Sequence, residues 1–152
     1  MTDWRDEIEA SLNAFLAVAE LAGDPIYPTD IEVEFLPAPH RPPTRLPTGK
    51  MAVYGFHGDG AWLKIGQAGP KSGPRYTRQH YHAGSAPSTL AGSLAKDPRM
   101  LTVVGFDPEW PGDWVMKATH RVNILIPSAR RREMLALLEA FLHLRLKPRY
   151  EG

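Results

Sequence analysis

Glu139 stands inside a leucine run, where Leu135, Leu138, Leu142 and Leu146 form an apolar ridge supported by Leu137, Phe141 and Leu144. At 100° per residue, Arg132, Ala136, Glu139 and His143 fall on one line of a helix. A carboxylate backed by a small alanine can face a cleft there and hold a divalent cation through oxygen. The same spacing also suits a solvated face with a Glu139–His143 pair at i, i+4. Tyr54 and Lys64 stand in two apolar runs, MAVYGF and AWLKI, at positions that can share one face of a sheet. A phenol, an ammonium and a nearby guanidinium can perform phosphoryl chemistry: the cations stabilise charge developing on the phosphorus oxygens, and the phenol relays a proton. The plainer readings are packing for Tyr54 and solvent contact for Lys64. The six histidines form no zinc pattern, since His80 and His82 are two residues apart and no third ligand is spaced to join them.

Composition bounds what can surround these groups. The 152 residues are 43% hydrophobic and 23% charged, as in one ordinary globular domain. No apolar run approaches the ~20 residues of a membrane span, so no membrane partner is expected. The acidic, amphipathic beginning MTDWRDEIEA does not read as a signal or transit peptide. Cysteine is absent, which excludes disulfides and thiolate chemistry and makes a reducing, cytoplasmic setting the default expectation. The net charge of +1 conceals an asymmetry. Residues 1–36 carry nine acidic and one basic residue, whereas residues 37–152 carry seventeen basic and eight acidic ones. Between Trp62 and His82 lie Lys64, Lys71, Arg75 and Arg78 with no acid. A basic body of this kind suits a polyanion, and it also occurs on solvated faces.

The elements follow from periodicity. Trp4, Ile8, Leu12, Phe15, Leu16 and Ala19 predict a helix over 3–21, with Thr2 as N-cap and Gly23, Asp24 and Pro25 as its stop. Seven of the fifteen prolines fall in 25–49, which reads as a short edge strand at Ile31–Leu36 followed by an extended strap. Met51–Phe56 and Ala61–Ile65 are predicted strands joined by the turn HGDG. After a Gly/Pro loop, Arg75–His82 and Ser88–Leu94 are predicted short helices, the second with Ser88 or Ser85 at its cap. Met100–Phe106 and Arg121–Ile126 are predicted strands. The last helix is expected after Pro127, with Ser128 as N-cap, and runs to about Leu146 before Pro148.

In this order, Ala52-Val53-Tyr54, Lys64-Ile65-Gly66, Arg75 and the late Glu139 resemble the GIY-YIG nuclease superfamily. The first two triplets stand where GIY and YIG stand, and RYTRQHY followed by SAPSTLAGSL is similar to a block of bacterial members. The resemblance covers about residues 49–152, so the expected division is an N-terminal helix and Pro-rich arm (1–48) and a GIY-YIG-like domain (49–152). The implied fold is α+β, a small antiparallel sheet flanked by helices, with an extra N-terminal helix. Two departures stand out. Lys64 replaces the second-motif tyrosine, as in some restriction-type members, and the family's C-terminal asparagine falls on Glu151.

The resemblance implies hydrolysis of nucleic-acid phosphodiesters, of DNA in the first place, with one Mg²⁺ or Mn²⁺. Glu139 would ligate the metal, and Tyr54 would deprotonate or orient the attacking water. Lys64 and Arg75 would stabilise the phosphorane and lower the pKa of the phenol. The family's auxiliary His or Tyr four residues past the arginine has no single match: Gln79 follows Arg75, and His82 follows Arg78. Arg75 with His80 or Tyr81 is preferred, because Arg75 opens the segment after the glycine loop. Lys71, Arg78 and Arg132 would bind the nucleic acid, and a homodimer would supply two sites for two strands. The rivals are a nucleic-acid-binding module that does not cut and an interaction protein whose acidic helix docks a partner or covers the basic cleft.

Overall fold

The computed structural model describes residues 3–150. Four strands form one antiparallel sheet: β1 (Glu32–Leu36), β2 (Lys50–Gly58), β3 (Ala61–Ala68) and β4 (His120–Pro127), in the spatial order β1-β4-β2-β3. β2 and β3 form the predicted hairpin. Its tip, Asp59-Gly60, has φ of 51° and 73°, as two-residue hairpin turns require. A register shift between Phe56 and His57 leaves Tyr54 opposite Gly66 and Phe56 opposite Lys64. On the other side of β2, Tyr54 faces Asn123 and Phe56 faces Arg121. These residues therefore share one face of the sheet.

Each face carries its own core. Met51, Val53, Ile65, Val122, Ile124 and Ile126 pack under α1 (Trp4–Leu21) and α5 (Arg132–Leu146), whose apolar stripes supply Trp4, Ile8, Phe15, Leu135, Leu138 and Leu142. Ala52, Tyr54, Phe56 and Leu125 face the short helices α2 (Gly73–Thr77), α3 (Leu90–Lys96) and α4 (Pro111–Ala118), which contribute Tyr76, Leu90, Leu94, Trp114 and Val115. The protein is thus α+β, with a sheet between two helical layers. The segment before residue 49 supplies α1 to the first core and β1 to the sheet, where β1 pairs with β4.

Several predicted elements differ in detail. α1 begins at Trp4, and the Asp3 side chain accepts from the Arg5 backbone N–H as its cap; Thr2 lies outside the described residues. Arg75–His82 divides into α2 and a single 3-10 turn at 79–81. α3 is capped by Thr89, which accepts from the Gly92 N–H, rather than by Ser85 or Ser88. Met100–Phe106 is not a strand. Pro98 opens a 3-10 turn over 98–102, capped by Asp97, and Gly105 at φ 82° reverses the chain, so turn chemistry overrides the β-branched run. α5 begins at Arg132, not after Ser128, whose N–H instead donates to Gly49 O. α4 was not foreseen: Pro111 at its first position starts a helix in a stretch rich in turn residues. Among the described residues no helix is long and apolar enough to cross a membrane.

Candidate active site

The outer edge of β3 is the place where the two faces of the sheet meet. Lys64 rises from the face of the short helices, and Glu139 and His143 come from α5 on the other. The C-terminal chain covers one end of this edge, where the Arg149 and Tyr150 N–H groups donate to Trp62 O and Leu63 O. His143 Nε2 donates to Ile65 O at 3.0 Å. Beyond it the edge is open. There Lys64, Gly66, Gln67, Arg75 and Glu139 line a cleft of about 190 Å³ together with Ile65. Residues of three elements distant in sequence, β3, α2 and α5, therefore meet in one depression.

Tyr54 does not line this depression; it lies beneath Gly66, which does. It is 0% exposed, and its hydroxyl lies under Gly66, where a Cβ would sit 2.8 Å from the phenol oxygen. Glycine is required at position 66 because the phenol lies across the strand there. His80, also fully buried, holds the same oxygen at 2.7 Å through Nε2. The Leu90 N–H donates to His80 Nδ1 at 3.0 Å, so Nδ1 is the unprotonated nitrogen and Nε2–H donates to Tyr54. Burial, with Arg75, Arg121 and Lys64 nearby, holds the imidazole neutral, its pKa pulled down to about 2. His80 is thus a fixed donor to the phenol oxygen, and the phenol's own proton is left for another acceptor.

Burial pushes the Tyr54 phenol up to about 12, although Arg75 and Arg121 pull the other way. The lowering expected from Lys64 and Arg75 is therefore outweighed: desolvation of the phenolate exceeds the Coulombic gain. Lys64 is 2% exposed; its ammonium pKa is lowered by burial and then by Arg75, against Glu139. Its Nζ donates to Ser88 Oγ at 2.9 Å. Arg75 donates to Pro87 O at 3.1 Å and to Ser88 O at 3.4 Å, so one loop satisfies both cations. The carboxyl pKa of Glu139 is raised by burial, against His143, Lys64 and Arg75.

The remaining predicted residues are dispersed. Tyr81 does not line the cleft. It is buried on the same face of the sheet, and its hydroxyl contacts His40 and Arg121. Arg132 lies over Gly69, where a Cβ would come within 2.4 Å of its Nη1. Lys71 and Arg78 are exposed. Glu151 lies outside the described residues.

Sequence reasoning missed Gln67 and Arg121. Gln67 lines the cleft, and its Oε1 is the one buried side-chain polar atom without a hydrogen-bond partner among the described residues. Together with Glu139 it gives a set of hard oxygen donors, the chemistry that Mg²⁺ or Mn²⁺ selects. No group of three or more His, Cys, Asp or Glu suited to a metal occurs among the described residues, so such an ion would keep most of its water. The predicted strand ends at Ile65, whereas β3 runs on to Ala68 and so takes in Gln67, its second polar side chain after Lys64. Nothing in RVNILI singles out Arg121.

Comparison with protein-family models, with curated proteins and with solved structures finds no match.

Proposed function

We propose that the protein is a metal-dependent endonuclease that hydrolyses phosphodiester bonds of nucleic acid, with DNA as its substrate, and that it works as GIY-YIG enzymes do. The observation that carries this reading is the cleft at the β3 edge, where Lys64, Arg75 and Glu139 surround the strip of backbone that covers the Tyr54 hydroxyl. Two cations and a carboxylate around a phenol have the composition that phosphoryl transfer needs. The basic residues Lys71, Arg78 and Arg132 belong to the same basic stretch, residues 37–152, and would hold the flanking phosphates.

In this reaction Lys64 and Arg75 exchange their bonds to Ser88 and Pro87 for the non-bridging oxygens of the scissile phosphate. They then stabilise the charge that grows there. The resting phenol keeps its proton, so Tyr54 orients the attacking water, and His80 Nε2–H fixes the phenol oxygen while it does so. Glu139, with Gln67 beside it, would hold Mg²⁺ or Mn²⁺, which when bound supplies Lewis-acid stabilisation of the phosphate and the leaving alkoxide. A homodimer would present two such clefts to the two strands.

A second reading, nucleic-acid binding without cleavage, is favoured by one observation: the phenol is sealed beneath the strand, with its pKa at about 12. Nicking of supercoiled plasmid separates the two. The endonuclease converts it to the relaxed form with Mg²⁺ and not with EDTA. Retention of plasmid in a mobility-shift assay without nicking in either buffer favours the binding module.

A further inference from the structure

Arg121 is 0% exposed and is the largest fully buried side chain. Its guanidinium carbon lies 4.9 Å from the ring centroids of Tyr54 and Tyr76, 5.1 Å from that of Phe56 and 5.9 Å from that of Tyr81. Its polar contacts are an amide, a hydroxyl and a carbonyl: Nε donates to Asn123 Oδ1 at 2.7 Å, Nη1 to Tyr81 Oη at 3.1 Å, and Nη2 to Tyr76 O at 2.7 Å. No ion pair of the described residues includes it. The nearest carboxylate in the network, Glu34, reaches it only through Asn123, whose Nδ2 donates to Glu34 Oε1 at 2.8 Å.

An arginine keeps its charge in any protein interior, and a buried charge with no opposite partner is costly. Aromatic faces and neutral acceptors offset part of this cost. An apolar residue of similar volume would serve packing alone at least as well.

The surrounding bonds are directional. His40 Nδ1 donates to Thr119 O at 2.8 Å, so its Nε2 accepts from the Tyr81 hydroxyl at 2.8 Å, and Tyr81 Oη accepts from Arg121. The pKa of His40 is lowered by burial, consistent with the neutral ring this chain needs. Tyr81 is thus committed to holding Arg121, and the one phenol against the guanidinium whose oxygen lies at the cleft is Tyr54.

We propose that Arg121 is a positioning residue for the Tyr54 hydroxyl: a buried guanidinium, with no carboxylate against it, that fixes the phenol ring from its face and stabilises negative charge on its oxygen. The role rests on the reading of Tyr54 as part of the reacting site. The cation lies behind the ring, away from the cleft, and does not touch substrate. It joins Arg75 and His80 Nε2–H in favouring charge on that oxygen, against burial and Glu139.

The test is made on the full chain without nucleic acid or metal. A fluorinated tyrosine at position 54 brings the ionisation into the range where the protein stays folded, and ¹⁹F NMR reads its midpoint. Arg121→Gln is expected to make ionisation at least about ten-fold harder, a rise of about one pH unit or more. Arg121→Lys, which restores the charge, is expected to bring the midpoint back toward the wild-type value. A purely structural arginine would change the melting temperature and leave the midpoint in place. An unmoved midpoint in folded Arg121→Gln, or the same shift in the lysine variant, overturns the proposal. Should Arg121→Gln not fold, the paired exchange Glu34→Gln with Asn123→Asp keeps net charge and hydrogen bonds while setting a carboxylate on the guanidinium. It is expected to raise the midpoint, and an unchanged value there also overturns the role. A protein that fails to nick DNA yet shows the shift retains Arg121's effect and loses only the nuclease reading.

Discussion

Glu139 is held at odds with its surroundings. Burial raises its carboxyl pKa, although His143, Lys64 and Arg75 favour the charged form. A carboxyl whose pKa is raised on folding supports the fold when protonated, and this contribution is lost as pH rises through the folded value. Replacing it with the neutral Glu139→Gln should therefore leave stability at pH 7 within about 0.5 kcal/mol of wild type or slightly above it, as thermal unfolding would show. The same substitution should abolish metal-dependent cleavage. A marked fall in melting temperature would mean that the carboxylate is a structural partner. Protons compete with the metal for this group, so activity should decline on acidification from above the ordinary carboxylate range. At the alkaline end Tyr54, which acts in its protonated form and is pushed up to about 12, should keep the rate from falling near pH 10, where a phenol of ordinary pKa is half ionised. A pH–rate profile in saturating Mg²⁺ checks both limbs.

At the scale of elements, the hairpin of β2 and β3 does most of the positioning. Its register sets Tyr54 opposite Gly66, and the phenol fills the space a side chain would take. Gly66→Ala brings a methyl group within 2.8 Å of the phenol oxygen. It should cost ~1–3 kcal/mol in stability through overpacking and displace Tyr54 from His80, which a shift of the His80 imidazole resonances would report. Unchanged resonances and unchanged stability would show that the phenol has room to move. Much of this hairpin was legible in the sequence, because strand alternation and the Asp-Gly turn specify register locally. Glu139 was legible as a charge within a leucine ridge. The loop at 83–89, which holds Lys64 and Arg75, was not, since no periodicity marks a loop clamped by distant side chains. The 3-10 turn at 98–102 was misread because local β propensity is weaker than a capped proline turn. Arg121 at the head of a β-branched strand looks like any surface arginine until the aromatic rings of α2, the 79–81 turn and β2 close over it.

At the scale of the molecule, acidic and basic residues are segregated along a chain that folds into one sheet. The acidic first segment is built in as α1 and β1, while Lys64 and Arg75 line the cleft and Arg130 pairs with Asp24 and Asp30 of that acidic segment. Contact of Lys64, Lys71, Arg75, Arg78 and Arg132 with phosphates predicts that the logarithm of the association constant for duplex DNA falls with the logarithm of salt concentration, with a slope of about −4 to −5. Fluorescence anisotropy in EDTA across a salt series measures it, and a flat response would remove nucleic acid as the partner.

Cleavage of an end-labelled duplex in Mg²⁺, compared between wild type, Tyr54→Phe, Lys64→Met, Arg75→Met and Glu139→Gln at equal binding saturation, reaches the central claim most directly. Each variant is expected to fold, to bind in EDTA and to lose ~10²-fold or more in cleavage rate. Wild-type cleavage in Glu139→Gln, or an EDTA-resistant rate in any of the five proteins, would contradict that claim.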